Sequence, residues 1–382
     1  MRKTFDVAVL GAGVQGVAVA LALAERGVRT LLVEREYPAS GPTGRSSAVC
    51  RAYYTNPFLA EVARDALDLF AGWQDRIGGD CGFRGVGALF LHPEKDREAV
   101  AGVVGALNGL GTKAEVLSVA EMGELLPGAV FDDVGLGVWE PDAGYADPAG
   151  TTTSMYERAK SLGLVTSLRT TVAGLDGTTV VLGSGERVSC GRVFVALGPW
   201  TRPFVRQWAG VDLPLKVERH FIVTCGWGRI RPVPFVWADI PAKYYAKPEG
   251  EALLTVGPLT EEPQVDPDDF AEGVDEDDVE RMLSAVTARV AAMVELEVRG
   301  GWASLYDVSP DWQPVIGEVA DGVFVSAGSS GHGFKLAPAL SRHIASQVVG
   351  DAYDPRLDEF HPRRFEQGTS LLSGFSDAAI LG

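Results

Sequence analysis

Six residues near the start of the chain, GAGVQG, have the spacing to hold phosphate. They put Gly11, Gly13 and Gly16 where a short apolar run, Phe5 to Leu10, gives way to an Ala/Val/Leu-rich segment, Val14 to Arg26. In such a turn the first glycine permits the sharp reversal. The second lets a pyrophosphate approach the backbone, and the third lets helix and strand pack closely. The helix N-terminus adds N–H donors and a partial positive charge. Glu34 closes the next apolar run, VRTLLVE, where a carboxylate accepts hydrogen bonds from a ribose diol and repels a 2′-phosphate. Val14 and Gln15 inside the turn, and Arg35 after Glu34, complete the candidate set. The motif fits FAD or NAD without choosing between them, and disfavours NADP.

These residues need a strand–turn–helix–strand to position them. Phe5 to Leu10, Val14 to Arg26 and Val28 to Glu34 supply one, with Gly27 as the helix stop. Further on, apolar spacing predicts helices over about 57–75, 96–110, 150–162 and 337–349. Short strands are expected at GALFLH, GVWE, VFVALG and GVFVSAG, and alternating strands with glycine turns over about 164–188. Residues from about 215 to 300 begin strand-rich and turn strongly acidic. The stretch EEPQVDPDDFAEGVDEDDVER reads as a solvated loop running into a helix start, where acidic side chains favour the dipole. Residues after about 368 are expected to be loosely held.

The chain of 382 residues is long enough for two interleaved domains. Its formal net charge of −17 argues against nucleic acid and against anionic membranes, both of which require a positive footprint. No apolar run is long enough to span a bilayer. The basic start runs into Asp6 and a glycine turn rather than a signal-peptide core, so a cytoplasmic protein is expected. Cys50, Cys81, Cys190 and Cys225 have no metal-ligand spacing, so reduced thiols and no metal are expected.

Two further segments select the cofactor: PTGRSSAVCRAYY, residues 42–54, and SPDWQPVIGEVADGVFVSAGSSGHGFKLAPAL, residues 309–340. Together with GAGVQG, and in this order along nearly the whole chain, they resemble the D-amino-acid oxidase-like (DAO) flavoproteins, especially the sarcosine oxidase and glycine oxidase branch. The resemblance implies an α/β (α+β) fold. A Rossmann-type FAD-binding domain would come from residues 1–85, 142–215 and 301–368. A substrate domain built on an antiparallel sheet would come from 86–141 and 216–300, with a tail at 369–382. Flavin hydroxylases share the glycine turn but carry a late GD motif where this chain reads SAGSSGHGF.

The resemblance also implies roles. Arg45, Ser46 and Ser47 are candidate cofactor contacts, as are Val172, Gly198 and the run Gly328, Gly331, His332, Gly333, Phe334 and Lys335. Arg51 and Lys335 match the pair that holds a substrate carboxylate, chemistry suited to a bidentate guanidinium and a point-charge ammonium. Tyr306 and Tyr245 match aromatics lining the amine pocket, and His332 falls where cofactor and substrate meet. Ser304 stands where relatives with covalent flavin carry cysteine, so the expected FAD is non-covalent. Thr255 stands where oxidases of this branch use a lysine toward O2, leaving Lys247 or Lys243 as substitutes. The implied reaction is oxidation of the C–N bond of an amino acid or N-alkyl amino acid, with O2 or another acceptor as partner. Alternatives keep the fold with a different substrate, require a partner subunit, or make the chain an NAD-dependent dehydrogenase. Oligomeric state is not legible.

Overall fold

The computed structural model describes residues 4–371. Most of the expected tail, 372–382, lies outside the described residues. Two eight-stranded sheets organise the chain. The first has the spatial order Val315–Ala320, Val323–Ala327, Arg187–Val195, Thr4–Leu10, Thr30–Val33, Val165–Ser167, with the hairpin strands Val172–Asp176 and Thr179–Leu182 attached to Arg187–Val195. Its central pairings are parallel. The strands are apolar on both faces, as a covered parallel sheet demands.

One face carries the helices Val14–Glu25, Pro57–Ala71, Pro148–Ser161 and Gly333–Val349. Val14–Glu25 is buried almost throughout, so it has no polar face to turn to solvent. Asn56 caps the second of these helices through the Leu59 N–H, and Pro57 sits at its first position, where no N–H is needed. The last helix begins at Gly333, four residues before the expected start, and holds Pro338 inside it. That shift places Lys335 in the first helical turn.

The second sheet runs Glu297–Val308, Lys216–Gly226, Leu253–Pro258, Tyr244–Glu249, Val236–Asp239, Ala88–His92, Leu136–Glu140, Glu115–Leu117. It is antiparallel except where Val236–Asp239 runs parallel to Ala88–His92. Glu297–Val308 passes straight through the boundary expected at 300/301 and pairs along its length with Lys216–Gly226. The acidic run does lead into a helix, Glu276–Arg289, whose Asp275 and Asp278 form a reciprocal capping box.

The register decides what the two sheets share. Alternation puts Leu89, Trp237, Tyr244, Ala246 and Val256 on the outer face of the second sheet, packed under Glu276–Arg289. Phe90, Val138, Ala238 and Tyr245 point the other way, into the same core as the helices of the first sheet. The site forms where this inner face meets the carboxyl ends of the parallel strands, the usual crevice of an open α/β sheet.

Candidate dinucleotide and substrate site

The glycine turn joins strand to helix under tight steric limits. Gly11 has φ +98°, and a Cβ there would lie 2.4 Å from the Ala196 carbonyl oxygen. A Cβ on Gly16 would lie 2.0 Å from the Gly11 carbonyl oxygen, so this glycine packs the helix onto the strand end rather than facing a ligand. Glu34 accepts from the Ala12 N–H at 2.7 Å and the Glu36 N–H at 2.9 Å, which locks its carboxylate beside the turn. Thr43 Oγ1 accepts from the Val14 N–H at 3.1 Å and ties the TGRSS turn to the helix start.

A cavity of about 640 Å³ starts here, within the range of cofactor pockets. Its wall includes Gly11, Gly13, Val14, Gln15, Glu34, Arg35, Arg45, Ser46, Ser47, Val172, Gly198, Gly331, Gly333 and Phe334 from the expected set, together with Tyr245 and Tyr306. Gly16, Gly328, His332, Lys335 and Arg51 do not line it. Gly328 packs on Leu215 and Val315, and its N–H donates to Asp307 at 2.7 Å. The cavity fits a bound dinucleotide on a local observation. Gln15 is held through Nε2 to the Gly333 carbonyl at 2.9 Å, yet its Oε1 is buried without a partner among the described residues. A buried acceptor of this kind calls for a donor from a ligand.

Behind Gly331 lies a second, drier group. Arg51, His332 and Lys335 are all buried, and with them Tyr54 and Glu140. The Arg51 guanidinium stacks 4.3 Å over the Tyr54 ring and donates to the Tyr53 carbonyl. Tyr54 Oη is 3.2 Å from His332 Nδ1, and His332 Nε2 is buried without a partner among the described residues. Among the described residues Lys335 Nζ reaches only the Gly331 carbonyl, at 3.4 Å. Burial and the neighbouring Arg51 charge push the Lys335 ammonium down to about 7. Burial, Lys335 and Arg51 hold the His332 imidazole well below its ordinary value, so it is neutral. Burial pushes the Glu140 carboxyl up to about 7 against the opposing pull of the Ala52 N–H and Arg51.

The inner face of the second sheet supplies the remaining wall. Tyr306 packs against Gly331, where a Cβ would lie 2.5 Å from its ring. Ser47 and Tyr245 both line the cavity here. Ser304 lines the cavity directly across from His220 on the adjacent strand. Thr255 pairs with Lys247, and its Oγ1 donates to the Lys247 carbonyl at 3.1 Å. Lys247 is buried, ion-paired with Glu249 and 4.4 Å from the Tyr145 ring, whereas Lys243 is exposed. The sequence reading passed over His220, Glu218, Glu140 and Tyr54. Tyr54 stands in the quoted PTGRSSAVCRAYY segment, but the other three carry no local motif. Trp302 also lines the cavity and donates to the Arg45 carbonyl at 2.9 Å.

All four cysteines are buried and unpaired. Among the described residues no group of His, Cys, Asp and Glu could hold a metal ion, and no described helix is long and apolar enough to cross a membrane.

Comparison with known proteins bears on this geometry. The family described as FAD dependent oxidoreductase (DAO) matches residues 6–347. A probable sarcosine oxidase of Arabidopsis thaliana is 27% identical over 95% of this chain and 93% of its own. A 4-methylaminobutanoate oxidase (formaldehyde-forming) of Paenarthrobacter nicotinovorans is 26% identical over 89% of this chain. The chain spans 43% of that relative's length, and 45% of a rat mitochondrial dimethylglycine dehydrogenase at 23% identity over 96% of this chain. Among solved structures, L-proline dehydrogenase from P. horikoshii superposes with a TM-score of 0.86 at 23% identity, covering 97% of this chain and all of its own. Glycine oxidase from Geobacillus kaustophilus gives 0.79 at 20%, covering 95% and 99%. At these identities the structural likeness establishes the fold.

Proposed function

The chain belongs to the DAO family of FAD-dependent oxidoreductases, and from that premise we propose that it oxidises the C–N bond of an amino acid or N-alkyl amino acid to an imine. The observation that carries the substrate class is the placement of Lys335 beside Arg51. Both groups are buried, and among the described residues the Lys335 ammonium has one long contact, to a carbonyl. A buried ammonium beside a second positive charge is costly without an anion within its reach, and a substrate carboxylate supplies one to Lys335.

FAD, when bound, accepts a hydride from the carbon beside the amine nitrogen. The chain's own residues bind and orient. The Gly11–Gly16 turn and its helix N-terminus would hold the pyrophosphate, Glu34 the ribose, and the Gly331–Phe334 segment the redox-active end. Lys335 anchors the substrate carboxylate and Arg51 adds its charge from the Tyr54 face. Tyr306 and Tyr245 form the wall on the amine side, where an aromatic face suits a partly cationic nitrogen. The amine has to be neutral to expel a hydride, and the nearby cations and the dry surroundings lower its pKa. Water then hydrolyses the imine, or a cyclic imine leaves intact. His332, kept neutral by burial and then by its cationic neighbours, is a hydrogen-bonding group here rather than a charged one.

The test is anaerobic bleaching of the bound flavin by a panel of D-, L-, cyclic and N-methyl amino acids, followed by air. Bleaching by one carboxylated amine identifies the substrate class. The rate of recolouring then separates an oxidase from a dehydrogenase that uses another acceptor. Bleaching only by amines that lack a carboxylate would overturn the assignment of Lys335 and Arg51.

A further inference from the structure

We propose that the acidic segment between Pro258 and Glu276 is a strap closed over the cofactor cavity, with Asp268 and Glu272 as the positioning residues that latch it. The inference rests on the reading of that cavity as the FAD site.

The strap is anchored on the second sheet. Arg219 donates to the Ala271 carbonyl at 2.9 Å and the Gly273 carbonyl at 2.5 Å, and pairs with Asp278 at 2.8 Å. The Ala303 N–H donates to the Glu272 carbonyl at 2.7 Å. From these anchors two carboxylates reach across to residues of the first sheet and its loops. Asp268 Oδ1 accepts from the Trp200 indole N–H at 2.8 Å and lies 3.8 Å from the Arg35 guanidinium. That guanidinium is itself stacked 3.9 Å over the Trp200 ring. Glu272 accepts from Arg45 at 2.9 Å.

Every residue gripped in this way borders the cavity: Arg35, Arg45 and Trp200, as does Asp268 itself. The segment is therefore more than a solvated loop. Its two acids occupy the two arginines that would otherwise present bare charge to a diphosphate. The latches are also soft. Arg35 and Arg45 are each partly open to solvent and their acidic partners more so, and ion pairs of that kind are weak and screened by salt.

A strap of this design alters both directions of cofactor exchange together. Opening it speeds release, and it equally speeds uptake, because the mouth is clear and the arginines are free. A residue that simply touches the cofactor changes release and affinity in proportion and leaves uptake alone. This difference makes the proposal testable without turnover.

The experiment follows flavin fluorescence during FAD release from holoenzyme and during uptake by apoprotein. It compares the wild type, Asp268→Ala/Glu272→Ala and the shape-preserving Asp268→Asn/Glu272→Gln. Both double variants should release and take up FAD about five- to twenty-fold faster, with the dissociation constant nearly unchanged. High salt should accelerate release from the wild type and add little in the variants. Circular dichroism and melting confirm that the variants are folded, and the Asn/Gln pair serves if the alanines are not. Faster release with proportionally weaker binding, or no change in either rate, would overturn the strap. A wild-type chain that binds no FAD would instead remove the reading of the cavity, and the strap with it.

Discussion

The imidazole of His220 lies flat against the ring of Tyr306, with centroids 3.9 Å apart and planes 16° from parallel. His220 Nε2 is 3.2 Å from Glu218 Oε2, and Glu218 sits opposite Tyr306 in the strand register. Burial works to raise the Glu218 carboxyl, but the bonds from His220 and the Glu262 N–H outweigh it and hold the group below its ordinary range. An ionised carboxylate thus fixes an imidazole, and the imidazole covers one face of Tyr306, leaving the ring wedged against Gly331.

His220→Ala should free the Tyr306 ring. With an aromatic pair worth ~0.5–1.5 kcal/mol, the half-saturating concentration of an amine substrate should rise about three- to ten-fold. The affinity for a carboxylate lacking the amine should hold, because Lys335 and Arg51 are untouched. His220→Phe, which keeps a stacking ring, should restore the substrate value. Equal losses for both ligands would show that the histidine merely supports the sheet.

Lys335 makes carboxylate binding pH-dependent. In the free protein its pKa is lowered to about 7, so the protonated form is penalised below that pH and the penalty fades as pH rises. A bound anion favours the charged ammonium, so binding above neutrality takes up a proton. The affinity for an amine-free carboxylate should therefore fall roughly ten-fold per pH unit above 7, until the pKa of the complex is reached. Lys335→Met should bind weakly with a flat profile. A flat profile in the wild type would show that Lys335 keeps its ordinary pKa.

Glu140 ties the inner face of the second sheet to the segment that carries Arg51. Its Oε1 accepts from the Ala52 N–H at 2.6 Å, while Oε2 is buried without a partner among the described residues. Because the folded pKa is raised, from 4.5 to about 7, this group stabilises the fold at low pH and loses that contribution as pH rises through about 7. Urea titrations should show Glu140→Gln overtaking the wild type above neutral pH. Glu140→Ala, which orphans a buried N–H, should cost ~1–3 kcal/mol at low pH, and that cost should shrink as pH rises through about 7.

Ser304 lines the cavity and cannot form the thioether that a cysteine could. Acid precipitation should leave all the flavin in the supernatant. A yellow pellet would mean covalent attachment through some other residue.

The glycine turn and Glu34 were legible because a strand–turn–helix that binds pyrophosphate is local: its steric demands fall within about 30 residues of chain. The helices over about 57–75, 96–110 and 150–162 were legible through apolar period, whereas Val119–Leu125 and Thr201–Trp208 were not anticipated. The last helix begins four residues before the expected start and holds Pro338 inside it, a place that the preference of proline for a first turn does not foresee. Arg51 and Lys335 could be named from segment resemblance, but nothing in either segment says that they share one dry pocket.

The sequence by itself determined a dinucleotide turn, a two-sheet α/β architecture and a flavin-family signature. The tertiary structure decided which groups meet. His220 faces Tyr306, Glu140 reaches Ala52, and Asp268 crosses to Arg35, over separations of 86, 88 and 233 residues that no local pattern encodes. The physical reason lies in strand register and burial. A single-residue slip would turn Tyr306, His220 and Tyr245 to the opposite face. The charges of Lys335 and Glu140 are likewise set by desolvation, a property of the packed interior rather than of the residues themselves.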